Sequence, residues 1–359
     1  MIVQGASNAL LNPGPFRPLL AVALALGAAA FLVALLLGRP ILNGVLIRYR
    51  LGKRIREGEI ESNFAKMGTP TMGGLLFLIP TFLVFGVALL SSPRGLFGAT
   101  DATNGVGAAL LLLGVLLAFG VLGGVDDLLN LTRSASTREG LSARVKFAWQ
   151  VLFGVVAAAL LYFALGYTAV VVPFAGAFDL PAWVYVPAAA FALVGAANAV
   201  NFTDGLDTLA GGTSAIAFGA YAVIGYAQGQ PQVAAFCLVF AGALGGFLWF
   251  NAHPAQVFMG DCGSLAIGAC LAAAALQTGQ WLLLPLVGAV FVVEAVSVIL
   301  QVGYFKATKG PTGEGRRIFR KAPIHYHFQM LGWKETQVTH RFHLLGAAAA
   351  LVALALAFA

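Results

Sequence analysis

About ten apolar runs of 17 or more residues recur along this sequence, close to the ~20-residue helix that crosses a bilayer core roughly 30 Å thick. No water satisfies the backbone inside such a core, so each spanning segment must close its own hydrogen bonds as a helix. The expected spans cover residues 19–38, 73–90, 106–125, 147–165, 182–200, 209–227, 233–252, 262–278, 281–304 and 342–359. Only 10% of the residues are charged, against about 25% in soluble domains, which excludes a water-soluble globule. Residues 1–359 are therefore expected to form one all-α, polytopic integral membrane domain. Asn12, Pro13, Gly14, Pro15 and a lone Arg17 precede the first run, and no small-residue cleavage site follows before Arg39, the pattern of a retained helix rather than a cleaved leader.

Basic residues orient the spans. Of the 21 lysines and arginines, all but Arg17 and Arg94 fall in or beside segments on one side. By the positive-inside rule that side is cytoplasmic. Both termini then lie outside, and the cytoplasmic segments are about 39–72, 126–146, 198–208, 253–261 and 305–341. The net charge of +7 sets topology and favours anionic headgroups; it does not imply nucleic acid. Cys237, Cys262 and Cys270 lack CxxC spacing and read as small core residues. The outer segment 166–181 alternates Val, Phe and small residues, the pattern of a short hairpin.

The acidic residues are distributed unlike those of a solvated surface. Asp126, Asp127, Asp204, Asp207 and Asp261 all stand where an apolar span meets the cytoplasm. One such Asp ordinarily just ends a helix at headgroup level, but carboxylates gathered at one depth repel by several kcal/mol at low effective dielectric, roughly, and want a counter-cation. Magnesium binds through one or two carboxylates plus substrate phosphates and suits a half-open site of this kind. Glu294 lies inside a span, where an ionisable group either bonds a neighbouring helix or lines a functional groove.

The neighbours of these carboxylates sharpen the reading. In Asn198-Ala-Val-Asn201-Phe-Thr-Asp204-Gly-Leu-Asp207, polar side chains recur every three residues and line one helix face, with Gly205 allowing a turn or close approach. In Phe258-Met-Gly260-Asp261-Cys-Gly-Ser264, glycines bracket Asp261 at the start of a span, where backbone N–H groups and the helix dipole favour phosphate. Lys66, Thr69 and Thr71 offer a cation and hydroxyls at a helix mouth, although Pro70, Gly73 and Gly74 also fit a plain membrane-entry turn. His325 and His327 follow the basic run Arg316, Arg317, Arg320 and Lys321, and imidazoles can stabilise pyrophosphate or move a proton near neutral pH. His253, seven residues before Gly260, is a further candidate, whereas His340 and His343 read as interfacial.

Taken in order, Pro70-Thr-Met-Gly-Gly74, Asp126-Asp127, Asn198 to Asp207, Phe247-Leu-Trp-Phe-Asn251, Phe258 to Ser264 and Ala322-Pro-Ile-His325 resemble the phospho-N-acetylmuramoyl-pentapeptide transferase family of bacterial peptidoglycan synthesis. The likeness spans nearly the whole chain. It implies a ten-helix enzyme of the bacterial cytoplasmic membrane with its active site on the cytoplasmic face. The implied reaction moves phospho-MurNAc-pentapeptide from UDP-MurNAc-pentapeptide to undecaprenyl phosphate, with Mg2+, giving lipid I and UMP. Carried onto this sequence, Asp126, Asp127, Asp204, His325 and His327 are the expected catalytic residues, and Asp261 and Asp204 the metal ligands. Lys66, Thr71, Lys146, Asn198, Asn201, Asp207, Phe258 and Gly260 are the expected substrate-binding residues. A homodimer is an expectation of the family likeness alone. Phosphoryl transfer between two anions needs charge neutralisation and in-line positioning, so direct attack by the lipid phosphate, oriented by Asp126 or Asp127, is expected ahead of a covalent aspartyl intermediate.

The sequence departs from the family pattern at three positions. Tyr326 replaces the middle of three consecutive histidines, Gln329 stands where a Glu follows them, and Asn130 occupies the Lys of an Asp-Asp-x-x-Lys pattern, with Arg133 three residues on. These changes bear on the sugar recognised, so a sibling transferase moving GlcNAc-1-phosphate to a polyprenyl phosphate is the alternative. A transporter is a second alternative, favoured only by Glu294 and opposed by the absence of internal repeats and by the acidic cluster at the rim of the spans; the same three changes leave a weakly active or non-enzymatic paralogue open.

Overall fold

The computed structural model describes residues 17–48, 68–91, 105–132, 141–310 and 313–359. Long helices dominate: α1 (Arg17–Ile41), α2 (Leu75–Ser91), α3 (Gly105–Thr132), α4 (Ala143–Ala159), α5 (Ala182–Thr203), α6 (Leu209–Ala227), α7 (Pro231–Asn251) and α8 (Gly260–Gln277). The short α9 (Leu284–Val287) precedes α10 (Ala289–Ala307), α11 (Ile324–Met330) and α12 (Glu335–Ala357). Among the described residues, 9 helices are long and apolar enough to cross a membrane, and α2 is a shorter apolar helix of 17 residues. The chain is a polytopic, mostly helical membrane protein.

Each expected span meets a helix, but several limits differ. The expected ninth span, 281–304, is not continuous: Trp281–Leu283 is a 3-10 turn, α9 follows with Pro285 in its first turn, and Gly288 breaks the chain before α10. Proline suits a first turn, where its missing N–H is no loss. The expected cytoplasmic segments shorten as well. α3 runs through Asp126 and Asp127 to Thr132, α4 starts at Ala143, and α5 carries Asn198 and Asn201 before ending at Thr203. Most of the candidate site is therefore mounted on helices. The hairpin expected in segment 166–181 forms, β1 (Ala169–Val172) pairing antiparallel with β2 (Gly176–Asp179).

α8 is the central post. Every residue from Cys262 to Gln277 is buried, and an apolar helix buried all round must be enclosed by others. α3 and α5 pack on it closely because small side chains let the backbones approach: a Cβ at Gly123 would overlap the Asp261 carbonyl, and one at Gly268 the Ala196 carbonyl. The lipid-facing positions lie on peripheral helices, with Leu36, Phe163, Ile299 and Leu351 exposed. Close contact at Gly123 brings the C-terminal end of α3 against the first turn of α8, and with it Asp126 and Asp127 against Asp261.

Candidate active site

Four helix ends meet at the start of α8. Asp126 Oδ2 accepts from Lys146 Nζ of α4 at 3.3 Å, and the same ammonium contacts Asp261 Oδ2. Asp126 Oδ1 also accepts the Leu141 N–H at 2.8 Å, and Oδ2 lies 3.4 Å from Asn130 Nδ2. Asp261 Oδ1 accepts from Asn201 Nδ2 at 2.8 Å, and that amide also reaches Ser264 Oγ at 2.9 Å. One cation thus bridges two carboxylates, offsetting the repulsion that like charges would otherwise feel. Asn130, at the family's lysine position, bonds back to Asp126.

Asp127 has a different place. Its Oδ1 accepts the Asp261 N–H at 3.1 Å and its Oδ2 the Cys262 N–H at 3.0 Å. The first turn of α8 has no side-chain cap of its own, so a carboxylate from the neighbouring helix satisfies those exposed donors. The N–H groups that the sequence offers to a phosphate are occupied by Asp127. Gly260, at φ +76°, lets Asp127, Met72 and Thr71 crowd against this turn. The segment before α2 pairs with it through the backbone: Phe258 N–H donates to the Pro70 carbonyl, Gly73 N–H to that of Phe258 and Gly74 N–H to that of Met259, each at 2.8 Å. Two separate sequence motifs are therefore one local structure, which places Thr71 and Phe258 together.

A second group surrounds the turn after α5. Asp207 is buried; its Oδ2 lies 2.8 Å from His253 Nδ1 and accepts the Ala255 N–H at 3.1 Å. Asp207 N–H donates to Glu335 Oε1 at 2.7 Å, and Thr208 N–H to Asn251 Oδ1 at 2.8 Å. His343 Nε2 lies 3.2 Å from the Thr208 carbonyl. Thr208 itself sits in the left-handed region, at φ 68°, a strained place for a β-branched residue. Among the described residues, Asp207, His253 and Glu335 form a set whose ligand atoms lie within 4.8 Å of one another and could hold a divalent ion. Asp204 and Asp261 are not members of that set.

The structure thus joins Asp126, Asp127, Lys146, Asn201 and Asp261 in one network, with Thr71, Phe258 and Gly260 beside it. Asn198 donates to Gln150 Oε1 at 2.6 Å and to the Val194 carbonyl at 2.8 Å. His325 is buried, whereas His327 Nδ1, also on α11, accepts the Arg320 N–H of the preceding segment at 3.1 Å. Asp204 ends α5. Lys66 lies outside the described residues. Gln150 and Glu335 are partners that the sequence pattern does not single out, the signal for the first being an amide inside an otherwise apolar helix and Glu335 having none; Asn251 stands in a motif of the family resemblance but carries no role there.

The chain matches the model of glycosyl transferase family 4 over residues 109–279 and the phospho-N-acetylmuramoyl-pentapeptide-transferase signature 1 over residues 66–78. It is 46% identical over 346 residues to the phospho-N-acetylmuramoyl-pentapeptide-transferase of Chloroflexus aurantiacus, covering 94% of this chain and 90% of that protein. The like-named protein of Geobacillus kaustophilus is 43% identical over 321 residues, 89% of this chain and 93% of its own. That of Desulforapulum autotrophicum is 41% identical over 346 residues, 91% of this chain and 90% of its own.

Proposed function

The chain belongs to the phospho-N-acetylmuramoyl-pentapeptide-transferase family, and from that membership we infer the reaction and the part each residue plays in it. The protein is a transferase of peptidoglycan synthesis. It moves phospho-MurNAc-pentapeptide from UDP-MurNAc-pentapeptide to undecaprenyl phosphate, giving lipid I and UMP.

The observation that carries the assignment of roles is the Asp126–Lys146–Asp261 network, three charged groups from three helices meeting at the start of α8. Both substrates are anionic, so the site must gather positive charge and hold two phosphates in line. Lys146 supplies a fixed cation. Asp126, held by the Leu141 N–H, orients the lipid phosphate and takes up its proton. Asp261 is the metal ligand, its carboxylate steadied by Asn201. An oxygen donor set with one side chain still 25% exposed fits magnesium, which prefers carboxylates, phosphates and retained waters. When bound, magnesium neutralises the pyrophosphate and the departing UMP. Asp127 serves as the cap of α8 and so fixes where Asp261 points. We place this site on the cytoplasmic face, in line with the basic segments on that side, and the enzyme in the bacterial cell membrane, with a homodimer as its assembled form.

The experiment is magnesium-dependent UMP release by purified protein with undecaprenyl phosphate, comparing UDP-MurNAc-pentapeptide with UDP-GlcNAc. Release with the muramoyl substrate alone is expected; release with UDP-GlcNAc alone moves the protein to the sibling transferases. A phospho-sugar trapped on the protein in the absence of lipid acceptor would replace direct attack by a covalent route.

A further inference from the structure

Glu294 and His325 take no part in the carboxylate–lysine network, yet they form the most deeply buried polar pair described. α10 continues past Glu294 to Ala307, a rise of about 20 Å, and the chain then returns beside it. Arg316 N–H donates to Thr308 Oγ1 at 2.8 Å, and the Ile318 and Phe319 N–H groups to Gln301 Oε1 at 3.0 and 2.9 Å. This return brings His325 to Glu294. There Glu294 Oε2 lies 3.0 Å from His325 Nδ1 and 3.4 Å from its backbone N, with both side chains at 0% exposure.

A carboxylate at Glu294 can only accept, and Nδ1 then carries the proton of this contact. His325 Nε2 is buried with no partner among the described residues. A buried N–H without an acceptor is rarer and costlier than a bare acceptor without a donor, so Nε2 is bare. That nitrogen faces Gly205, where any Cβ would overlap it. The Tyr326 ring packs on the imidazole at 4.1 Å between centroids, and its hydroxyl donates to the Gly205 carbonyl at 3.4 Å. Lys321 lies 4.8 Å over the same ring. A line of contact therefore runs from Glu294 through His325 to the turn that begins at Asp204.

We propose that Glu294 is a positioning residue of the transfer reaction: by accepting the Nδ1 proton it locks His325 against Gly205 and so sets the 204–208 turn beside the carboxylate network. The proposal rests on the transferase reading of this site. What the pair requires of Glu294 is a hydrogen-bond acceptor, so Glu294→Gln retains the function and an apolar side chain does not.

The test is kcat/KM for the full-length protein with UDP-MurNAc-pentapeptide, undecaprenyl phosphate and magnesium. Glu294→Gln is expected within about threefold of the unsubstituted protein, and Glu294→Leu and His325→Leu each about 30-fold lower. Because one acts through the other, the double variant falls no further than the worse single one. Equal damage by Gln and Leu at position 294, or multiplicative losses in the double variant, would overturn the proposal. Nitrogen-15 NMR of the histidine-labelled, unsubstituted protein, with His325 assigned from His325→Gln, reads the tautomer without relying on any variant's folding. A protonated Nε2 overturns it. Absence of transfer by the unsubstituted protein would sink the functional reading, while the NMR result still decides the pair.

Discussion

Two regions meet at the C-terminal end of α5, and they are held by opposite means. The network of Asp126, Lys146 and Asp261 is made of charged side chains converging from separate helices, and it stays partly open, with Lys146 17% and Asp261 25% exposed. The 204–208 turn is gripped mainly through its backbone, by Glu335, Asn251, His343 and Tyr326, around an Asp207 side chain that is 1% exposed. Charge-held groups can exchange one cation for another when an anionic substrate arrives. A backbone clamp gives a fixed shape and little freedom to respond. The pairing teaches that the first region is suited to chemistry and the second to placement.

Variants can break that contrast, beginning with the strongest. Lys146→Met removes the only described cation between two carboxylates; transfer should fall by about 1,000-fold, on the scale of losing a charge aimed at the reacting groups, and UMP release measures it. Lys146→Arg should recover part of that loss. Asp127→Asn comes next. It replaces two accepted N–H bonds by one and turns a donor toward α8, so stability should fall by about 2 kcal/mol and activity with it, as thermal unfolding in detergent would show. Asp261→Asn, by contrast, should lose activity with its melting temperature nearly intact. If Asp127→Asn instead unfolds no earlier than Asp261→Asn, Asp127 belongs to the chemistry and not to the cap.

Smaller effects probe the clamp. Glu335→Leu leaves the Asp207 N–H without its acceptor and should raise KM for the sugar nucleotide about 10-fold with kcat less affected, whereas Glu335→Gln keeps an acceptor and should stay near normal. Thr208→Gly removes a left-handed β-branched residue and should stabilise the protein by about 1 kcal/mol, with transfer changed less than twofold. A large rate change there would mean that the strain, and not merely the shape, of the turn is used.

The same contrast explains what the sequence makes legible. Carboxylates and amides at the ends of apolar runs are conspicuous, so position and residue type alone pick out Asp126, Asp127, Asn201 and Asp261. Their roles are less accessible, because a capping carboxylate and a reacting one look alike until the neighbouring helix is placed; Asp127 is the case in point. The clamp is mostly hidden. Asn251 is visible in a motif but its role is not, since it and Glu335 act on backbone groups, which leave no mark on residue spacing, and Glu294 finds His325 only because the intervening chain doubles back along α10. The fold is readable at the level of spans, since length and hydropathy govern them, but the break at Gly288 is not, because an apolar proline turn scores like a helix.

The composition of α8 has a consequence for how the protein is made. Its small side chains allow α3 and α5 to close around it, but they leave it, with α6, the least hydropathic of the nine candidate spans, while α1 is the most. A segment so poor in large apolar residues gains little by entering lipid alone. The helix that carries Asp261 therefore leans more on its neighbours for its place in the bilayer than α1 does, and its insertion is expected to follow the arrival of α3 and α5.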